Sequence, residues 1–541
     1  MKVKKTKIDL NDAFVKFSNP AQNPKESPHI TLIRPPILFS AQSYSTPLTL
    51  PIGIAYIAAA LEKSNYRVKI LDCPGAGIDE IRLTPDGKFK IQGIDIDQSI
   101  QMIDKNSDII GVSTMFSQEW PHLRGYINKI RASFPFAKIV VGGEHVTAMP
   151  EFSLRDCPAI DFIVKGEGEL AFINLVHNLR RGIKEDVNGV VYLKQGNYHE
   201  STLAPRLMKI DNMPWPAWHL LNVEAYFKPN FTMGIAHGRN MAILATRGCP
   251  YQCTFCSNPT MWTTSYVMRP ASDVVDEIEY YIKKYNVNSI DFYDLTAIVK
   301  KDWVMEFTEE LIRRKIKIVW QLPSGTRSEA LDEEVIANLA KTGIALLVYA
   351  PESGSPRILK NIKKKVKLDR LTYSIKMAVK YGIITKSNFI IGFPDETRID
   401  VYRTLLFMWK LALLKMNDSL VSVFSPYPGS EIYDVLRDKG VLPEMNDEYF
   451  EFLMMQFDFT VTKSVCKRIG SFELLIYRVL GFSVFYGLSY LRCPDRLFRL
   501  IRIFLSKGKN FQPNSLFEQR VFDFIVRKRT TQSNFSSQIG N

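Results

Sequence analysis

A chain of 541 residues that is 46% hydrophobic and 23% charged is long enough for roughly three or four domains with their own cores, and reads as a large globular protein. Seven cysteines, an odd number without regular spacing, do not suit a secreted disulfide framework and point to thiols in a reducing compartment. The net charge of +14 invites a nucleic-acid partner, yet no helix-turn-helix, zinc-finger or RNA-recognition pattern accompanies it, so the expectation is no nucleic acid and a diffuse basic excess.

Residues 1–28 read as a polar tail, basic but with no apolar run or small-residue cleavage site behind the charges, which favours a cytoplasmic chain. Between 29 and 182, the short β-branched runs "HITLIRPP", "YRVKILD", "SDIIGVS", "FAKIVVGG" and "IDFIVKGEGE" alternate with helix-like stretches such as Gly53 to Lys63 and His122 to Phe134. That alternation predicts an α/β domain with a doubly wound parallel sheet. Ligands of such sheets sit beyond the strand carboxyl ends, where this chain has Arg34, Asp72, Ser113, Thr114, Gly142, Gly143, Gly166 and Glu167. Ordinary turn residues are the alternative for the same positions.

Residues 183–240 predict a hairpin turning at Gln195, Gly196 and Asn197, then a linker rich in Pro and Trp. From 241 to 440, six strand candidates ("AILAT", "SIDFYD", "IKIVWQL", "ALLVYAP", "KSNFIIGF", "SLVSVFSP") are each followed by a helix-length stretch, which predicts a partial (β/α)6 barrel, since a closed barrel takes eight units. Residues 441–541 turn helical, aromatic and basic. Phe472 to Leu491 is long enough to cross a bilayer but holds Glu473 and Arg478, and Arg496, Arg499 and Arg502 make a basic stripe among apolar residues. Three readings stay open there: a helical cap on the barrel with arginines in water, a peripheral membrane contact, and a true span.

Immediately after the first barrel strand, "TRGCPYQCTFCSNP" crowds Cys249, Cys253 and Cys256 into one segment. Structural zinc wants four ligands, usually from paired C-x2-C knuckles; only one such pair is present, and His237 is a fourth ligand by proximity alone. Three thiolates instead suit a cubane iron-sulfur cluster that leaves one iron without a protein ligand.

C-x3-C-x2-C in this position resembles the radical S-adenosylmethionine (SAM) superfamily. The resemblance implies a [4Fe-4S] cluster on Cys249, Cys253 and Cys256 whose open iron chelates SAM and delivers the electron that cleaves it. By the same resemblance Phe255 packs near adenine, Asp294, Arg327, Glu352 and Ser353 hold the ribose and methionine ends, Ile391 and Gly392 offer backbone contacts, and Pro426, Tyr427 and Gly429 lie near the site. Core packing for Phe255 and structural salt bridges for Asp294 and Arg327 are the alternatives. "FYDLT" lacks the paired acids common after the second strand.

"TLPIGIAYIAAALE", "VVGGEHVTAMPE" and "VKGEGE" resemble the cobalamin-binding domain that precedes the barrel in the B12-dependent branch. Ser113, Thr114, Gly142, Gly143, Gly166 and Glu167 are then implied to line the corrinoid, and Asp72 and Gly77 to shape the site. Pro74 stands where that fold often has its cobalt-ligating histidine, so ligation from below is not expected; His145 reads as pocket wall rather than a substitute ligand. The implied activity is methylation of an unactivated carbon or a phosphorus centre from methylcobalamin. An oxidative cyclase or rearrangement enzyme of the magnesium-protoporphyrin ester cyclase type, acting on a lipid-like or tetrapyrrole substrate, is the alternative, and a non-catalytic corrinoid-sensing module the third. An external reductant such as flavodoxin or ferredoxin is implied as a partner, with a small-molecule or lipid-like substrate.

Overall fold

A computed structural model describes residues 27–43, 48–183, 186–202, 204, 206–227, 232–455, 463–505, 513–522 and 525. The apolar runs near the start form one sheet in the order Val68–Asp72, Ile30–Arg34, Ile109–Ser113, Lys138–Gly142 and Phe162–Val164, all parallel. In chain order this is 2-1-3-4-5, a doubly wound arrangement whose switch point lies between Ile30–Arg34 and Ile109–Ser113. Both faces are covered, which is why these strands read as nearly unbroken hydrophobic runs. Leu32, Ile109 and Val140 pack under helices Ile52–Lys63 and Gly168–Arg181, while Ile33, Ile110 and Val141 pack under helix Trp120–Ser133.

The hairpin Val190–Lys194 and Asn197–Glu200 does not stand apart with the linker. It pairs antiparallel with Phe162–Val164 and extends the same sheet, because that strand would otherwise present an unpaired backbone edge. A three-stranded antiparallel sheet of Ile37–Ser40, Phe89–Gln92 and Ile81–Leu83 is a further element that the sequence pattern did not reveal.

The second sheet contains Asn240–Ile243, Ser289–Phe292, Val319–Thr326, Ile344–Glu352, Ile384–Ile391 and Asp418–Val423, parallel throughout and adjacent in chain order. These are the six strands of an open barrel, called first to sixth below. Helices Ala271–Tyr285, Lys301–Arg313, Glu333–Lys341, Leu368–Lys380 and Arg398–Leu413 follow the first five strands in turn.

The C-terminal region does three separate jobs rather than forming one cap. Helix Asp447–Met455 straps back onto the N-terminal domain, with Asp447 2.8 Å from Arg124 and Glu451 2.7 Å from Lys88. Helix Ser471–Arg492, long and apolar enough to cross a membrane, lays Leu474, Tyr477, Gly481, Phe485 and Ser489 against the barrel, where Gly481 meets Leu405 and Val421. The spacing of those buried residues is that of one helical stripe. Residues 516–522 then pass beneath the barrel: the Leu516 and Phe517 amides donate to Asp418, and Leu516 packs on Ile235, Leu346 and Val348.

His145 lies inside the first domain, its ring 4.5 Å from Trp120 and 5.7 Å from Phe450. Both ring nitrogens are engaged, Nδ1 with Ser117 Oγ at 3.1 Å and Nε2 with Ser153 Oγ at 3.3 Å. Burial pushes the imidazole down to about 3, against a small opposing pull from Asp156. An unfolded chain protonates it near ~6.5, so its contribution to stability is complete above that pH and is lost as pH falls toward about 3. A His145→Gln variant, which keeps polar partners without titrating, is expected to flatten the decline in melting temperature between about pH 6.5 and 4.5 relative to the native chain; an unchanged slope in thermal melts would refute this.

Candidate active site

The cysteine segment is held at both ends. At its base, Thr246 and Arg247 pair antiparallel with Met268 and Val267, closing the segment into a loop. Gly248 allows the closure: its φ is +78°, and a Cβ there would stand 2.2 Å from the Ser265 carbonyl. Asp294, beyond the second strand, accepts from the Ala245 amide and from both the amide and hydroxyl of Thr246. Burial pushes this carboxyl up to about 6 against those donors. Asp294 therefore anchors the entry to the loop, and its oxygens are committed there rather than presented to a ribose.

The loop's middle is laced to its surroundings. The Thr254 amide donates to Ile362 O at 3.0 Å and the Thr254 carbonyl accepts from Ile432 at 2.9 Å. Asn258 Nδ2 donates to Cys249 O at 3.2 Å, and Thr260 Oγ1 to Gly429 O at 2.7 Å. Arg327 lies 3.6 Å over the Tyr251 ring, between the first two cysteines, and donates to Lys365 O. Phe255 packs 5.9 Å from Phe393, which in turn stacks near Phe424, so it sits at the edge of the core. All seven cysteines are free thiols.

Zinc bound by thiolates at ~2.3 Å needs its ligands gathered at one point, and among the described residues no three His, Cys, Asp or Glu side chains are grouped to hold a metal ion. Three thiolates on a cubane each take a separate iron, so they stand farther apart than the ligands of a single zinc ion. His237 cannot complete a zinc site: it precedes the first strand, at the opposite end of the barrel from the cysteines. Cys253 lies within electrostatic reach of Lys364, Glu352 and Arg327, and burial raises its thiol. Burial also pushes Cys256 up to about 12.

Around the loop, the strand ends carry polar atoms with no hydrogen-bond partner among the described residues. They are Thr296 Oγ1, Arg327 Nε, Ser328 Oγ and Asn388 Oδ1. Buried polar atoms cost free energy unless paired, so these suit a ligand of many hydroxyl, amine and carboxylate groups such as SAM. Thr296, Ser328, Asn388 and Lys364 were missed from sequence; the signal available was a polar residue inside an apolar strand, as with Asn388 in "KSNFIIGF". Glu352 ends the fourth strand in a left-handed conformation (φ 65°) and lies 2.8 Å from Lys364 Nζ, a backbone state that costs a non-glycine residue energy and clusters at functional sites. Ser353 is buried and bonded to Thr404 Oγ1 at 2.9 Å, which fixes the turn rather than facing outward. The Gly392 and Phe393 amides donate to Glu396, leaving Ile391 and Gly392 only their other backbone atoms for a ligand. Tyr427 lies within electrostatic reach of Glu144 and Glu119, and burial, followed by those charges, raises its hydroxyl.

On the N-terminal domain, two of the expected positions are closed. Asp72 accepts from Tyr226 of the linker at 2.6 Å, and Arg34 donates to that same hydroxyl at 3.0 Å, so the end of Val68–Asp72 is lidded. A Cβ on Gly77 would lie 2.5 Å from Ile94 N, so that glycine serves backbone packing. The switch-point side differs. Beyond Ser113, Gln118 Oε1 and His122 Nε2 are buried without a partner among the described residues, and Met115 and Phe116 are exposed. A Cβ on Gly142 would meet nothing nearer than 3.5 Å, whereas Gly143 (φ +136°) permits contact with the Thr114 backbone. Thr114 itself is buried, donating to Gly142 O at 3.1 Å. Unpaired polar atoms beside exposed apolar side chains suit contact with a large flat corrinoid.

The two strand-end faces meet at the cysteine loop. Ser257, next to Cys256, donates to Glu144; a Cβ on Gly166 would lie 3.3 Å from Met261 O, and one on Gly429 2.9 Å from Ala148 Cβ. Arg247, two residues before Cys249, binds Glu167 at 3.2 Å and Glu169 at 2.5 Å, while Arg206 lies 2.8 Å from Glu167. All four side chains are buried, and both guanidinium groups stand against the Trp262 ring. Glu167, expected to line a corrinoid, is thus bound into the seam between domains, because a buried carboxylate needs cationic partners. Arg247→Met is expected to destabilise the chain by about 3–5 kcal/mol by stranding Glu169, and adding Glu169→Gln to recover part of that loss; urea unfolding of the single and double variants checks both, and equal midpoints for native and single variant would contradict it.

Comparison with known proteins agrees with this geometry. Residues 243–408 match the Radical SAM superfamily and residues 45–176 the B12 binding domain. The chain is 28% identical over 419 residues to an uncharacterized methyltransferase of Pyrococcus horikoshii, covering 77% of this chain and 85% of that one. It is 29% identical to the cytidylyl-2-hydroxyethylphosphonate methyltransferase of Streptomyces wedmorensis over 64% of this chain and 69% of that one. With the anaerobic magnesium-protoporphyrin IX monomethyl ester cyclase of Rubrivivax gelatinosus it shares 29% identity over 56% of its own length, spanning about half, 53%, of the cyclase. Among solved structures, the radical SAM methyltransferase TsrM of Kitasatospora setae has the same fold, with a TM-score of 0.60 at 17% identity over 77% of this chain and 80% of that one. The chain thus carries a Radical SAM superfamily domain over residues 243–408, with a B12 binding domain ahead of it over residues 45–176.

Proposed function

We propose that the chain is a cobalamin-dependent radical SAM methyltransferase that transfers a methyl group to an unactivated carbon or a phosphorus centre of a small molecule. The observation that carries this reading is the contact between Ser257, beside the third cysteine, and Glu144, beyond the fourth sheet strand, which brings the two strand-end faces to one seam. When bound, the cluster and SAM supply a substrate-activating radical and cobalamin supplies the methyl group. The chain's own residues do the rest. Cys249, Cys253 and Cys256 hold the cluster; Arg327 and Lys364, both cations near Cys253, hold an anionic carboxylate; Thr296, Ser328 and Asn388 offer hydroxyl and amide groups to the remainder of SAM. Gly142, Ser113, Gln118 and His122 border the corrinoid. Glu119, whose carboxyl burial pushes up to about 7, lies within electrostatic reach of Tyr427.

Two relatives named as methyltransferases match most of their length, whereas the cyclase matches over about half; this weighting favours methylation over oxidative cyclisation. The two part in a substrate-free assay on the full chain, reconstituted anaerobically with iron, sulfide and cobalamin and given methyl-labelled SAM and dithionite. Methyl transfer expects label on the corrinoid and 5'-deoxyadenosine in solution, with iron and both products lost in Cys253→Ala. Cleavage of SAM with no label on the corrinoid would select the cyclase reading instead.

A lipid-like substrate or membrane contact draws its support from the C-terminal helices. Of the three arginines in the expected stripe on Pro494–Leu505 only Arg502 is exposed: Arg496 donates to the Met416 and Lys415 carbonyls, and Arg499 pairs with Glu518. The outward side is mainly apolar, with Phe498 69% and Leu505 77% exposed, and Phe472 and Leu491 of the preceding helix exposed as well. Large exposed apolar surface of this kind is uncommon on soluble monomers, and a helix with one apolar face can lie in a bilayer interface. The chain is expected to co-float with phosphatidylcholine/phosphatidylglycerol vesicles, weakly dependent on salt, and Phe498→Asp/Leu505→Asp to lose this about tenfold. A native chain that stays in the soluble fraction refutes the contact.

A further inference from the structure

The segment formed by the last turn of the short helix Pro356–Asn361 and the loop after it carries five lysines within eight positions, Lys360, Lys363, Lys364, Lys365 and Lys367. It lies along the outer side of the cysteine loop and is fastened to it through Thr254 N to Ile362 O, while Arg327, over Tyr251, donates to Lys365 O. The lysines divide into two groups. Lys364 turns inward to Glu352 at 2.8 Å, and Lys363 is neutralised by Glu431 at 2.6 Å. Lys360, Lys365 and Lys367 are exposed and have no ion-pair partner among the described residues. Between the two loops lies a surface cleft of about 420 Å³, lined by Pro250, Gln252, Thr264, Lys363 and Lys365.

Position gives this cleft its meaning. Pro250 follows Cys249 and Gln252 precedes Cys253, so the cleft borders the cysteine segment itself. The opposite side of that segment is sealed by the N-terminal domain through Ser257, Met261 and Arg247. A protein donor therefore approaches closest from the lysine side. Among the described residues no aromatic or aliphatic side chain other than Pro250 lines the cleft, unlike a small-molecule pocket, while Lys365 on its lining and Lys360 and Lys367 on the same segment are exposed cations that favour a negatively charged surface. We infer that the Lys360–Lys367 loop and its cleft form the docking surface for an acidic one-electron carrier protein, an inference that rests on the cluster reading above. In the docked complex the carrier is oxidised by one electron and the cluster is reduced by one, with no bond made or broken. Unpaired charge around the cleft raises the rate of encounter and fixes orientation, as complementary charge does at other protein interfaces.

The test uses the full reconstituted chain and reduced flavodoxin as the probe. Lys360→Glu/Lys365→Glu/Lys367→Glu is compared with the native chain and with the milder Gln triple variant. Binding of flavodoxin to the chain is measured by interferometry at low and moderate salt, and cluster reduction is followed by loss of visible absorbance with either flavodoxin or dithionite. The expected result is flavodoxin binding weakened at least about tenfold by Glu and less by Gln, with a shallower salt dependence, flavodoxin-driven reduction slowed in proportion, and iron content and dithionite-driven reduction unchanged. Unchanged flavodoxin binding overturns the inference, as does an equal slowing with dithionite, which would make the loop a structural support of the cluster. Failure of the native chain to take up iron and sulfide would sink the cluster reading itself, and this inference with it.

Discussion

Two arginines and two glutamates buried at one seam decide how this molecule is assembled. Arg247 belongs to the base of the cysteine loop, Glu167 and Glu169 to the end of the first parallel sheet, and Arg206 to the linker between the domains. The cluster is neutral as a set, and a guanidinium-carboxylate arrangement with several contacts is directional as well as attractive. Removing any one member leaves a charge in a place water does not reach. The consequence is registration. The cysteine loop cannot shift relative to the N-terminal sheet without breaking these pairs, so the two ligand-facing surfaces stay aligned.

That alignment accounts for the rest of the site. The loop is short of regular structure and is tied from four directions: its backbone to Asp294 after the second strand, Ile362 before the fifth and Ile432 after the sixth, and its Ser257 hydroxyl to Glu144 of the other domain. A loop satisfied only by water would sample many positions; one tied to four rigid elements presents its three thiols in a fixed relation. Helix Asp447–Met455 adds a second tie between the barrel's end and the first domain through Phe450 and Asp447. The seam is therefore held from both sides.

The open barrel has its own weak point, the end where strands begin. Residues 516–522 occupy it, with Asp418 accepting two backbone amides and Leu516 filling the apolar space among Ile235, Leu346 and Val348. Lys386 stands within electrostatic reach of Asp418, and burial lowers it to about 8 against that attraction. The lower end is thus structural and the upper end chemical, the division expected of barrels whose active loops follow the strand carboxyl ends.

By itself the sequence determined the two α/β units, their order, the partial barrel and the cysteine triad, because strand burial writes short β-branched runs and because three cysteines at C-x3-C-x2-C are a local pattern. Pro74 in place of a ligating histidine was legible for the same reason. What only tertiary structure decided were the partners of single polar side chains. Asp294 and Glu167 carry the residue type a cofactor site would use, yet Asp294 is taken up by the amides of Ala245 and Thr246 and Glu167 by Arg206 and Arg247. Conversely, Thr296, Gln118 and His122 look unremarkable in one dimension and become notable because Thr296 Oγ1, Gln118 Oε1 and His122 Nε2 are buried without a hydrogen-bond partner among the described residues. Likewise the arginine period of Pro494–Leu505 fixed which residues share a face, but not which face turns inward. The contacts of Arg496 and Arg499 settled that, since a side chain's hydrogen-bond partners depend on elements elsewhere in the chain that no local period encodes.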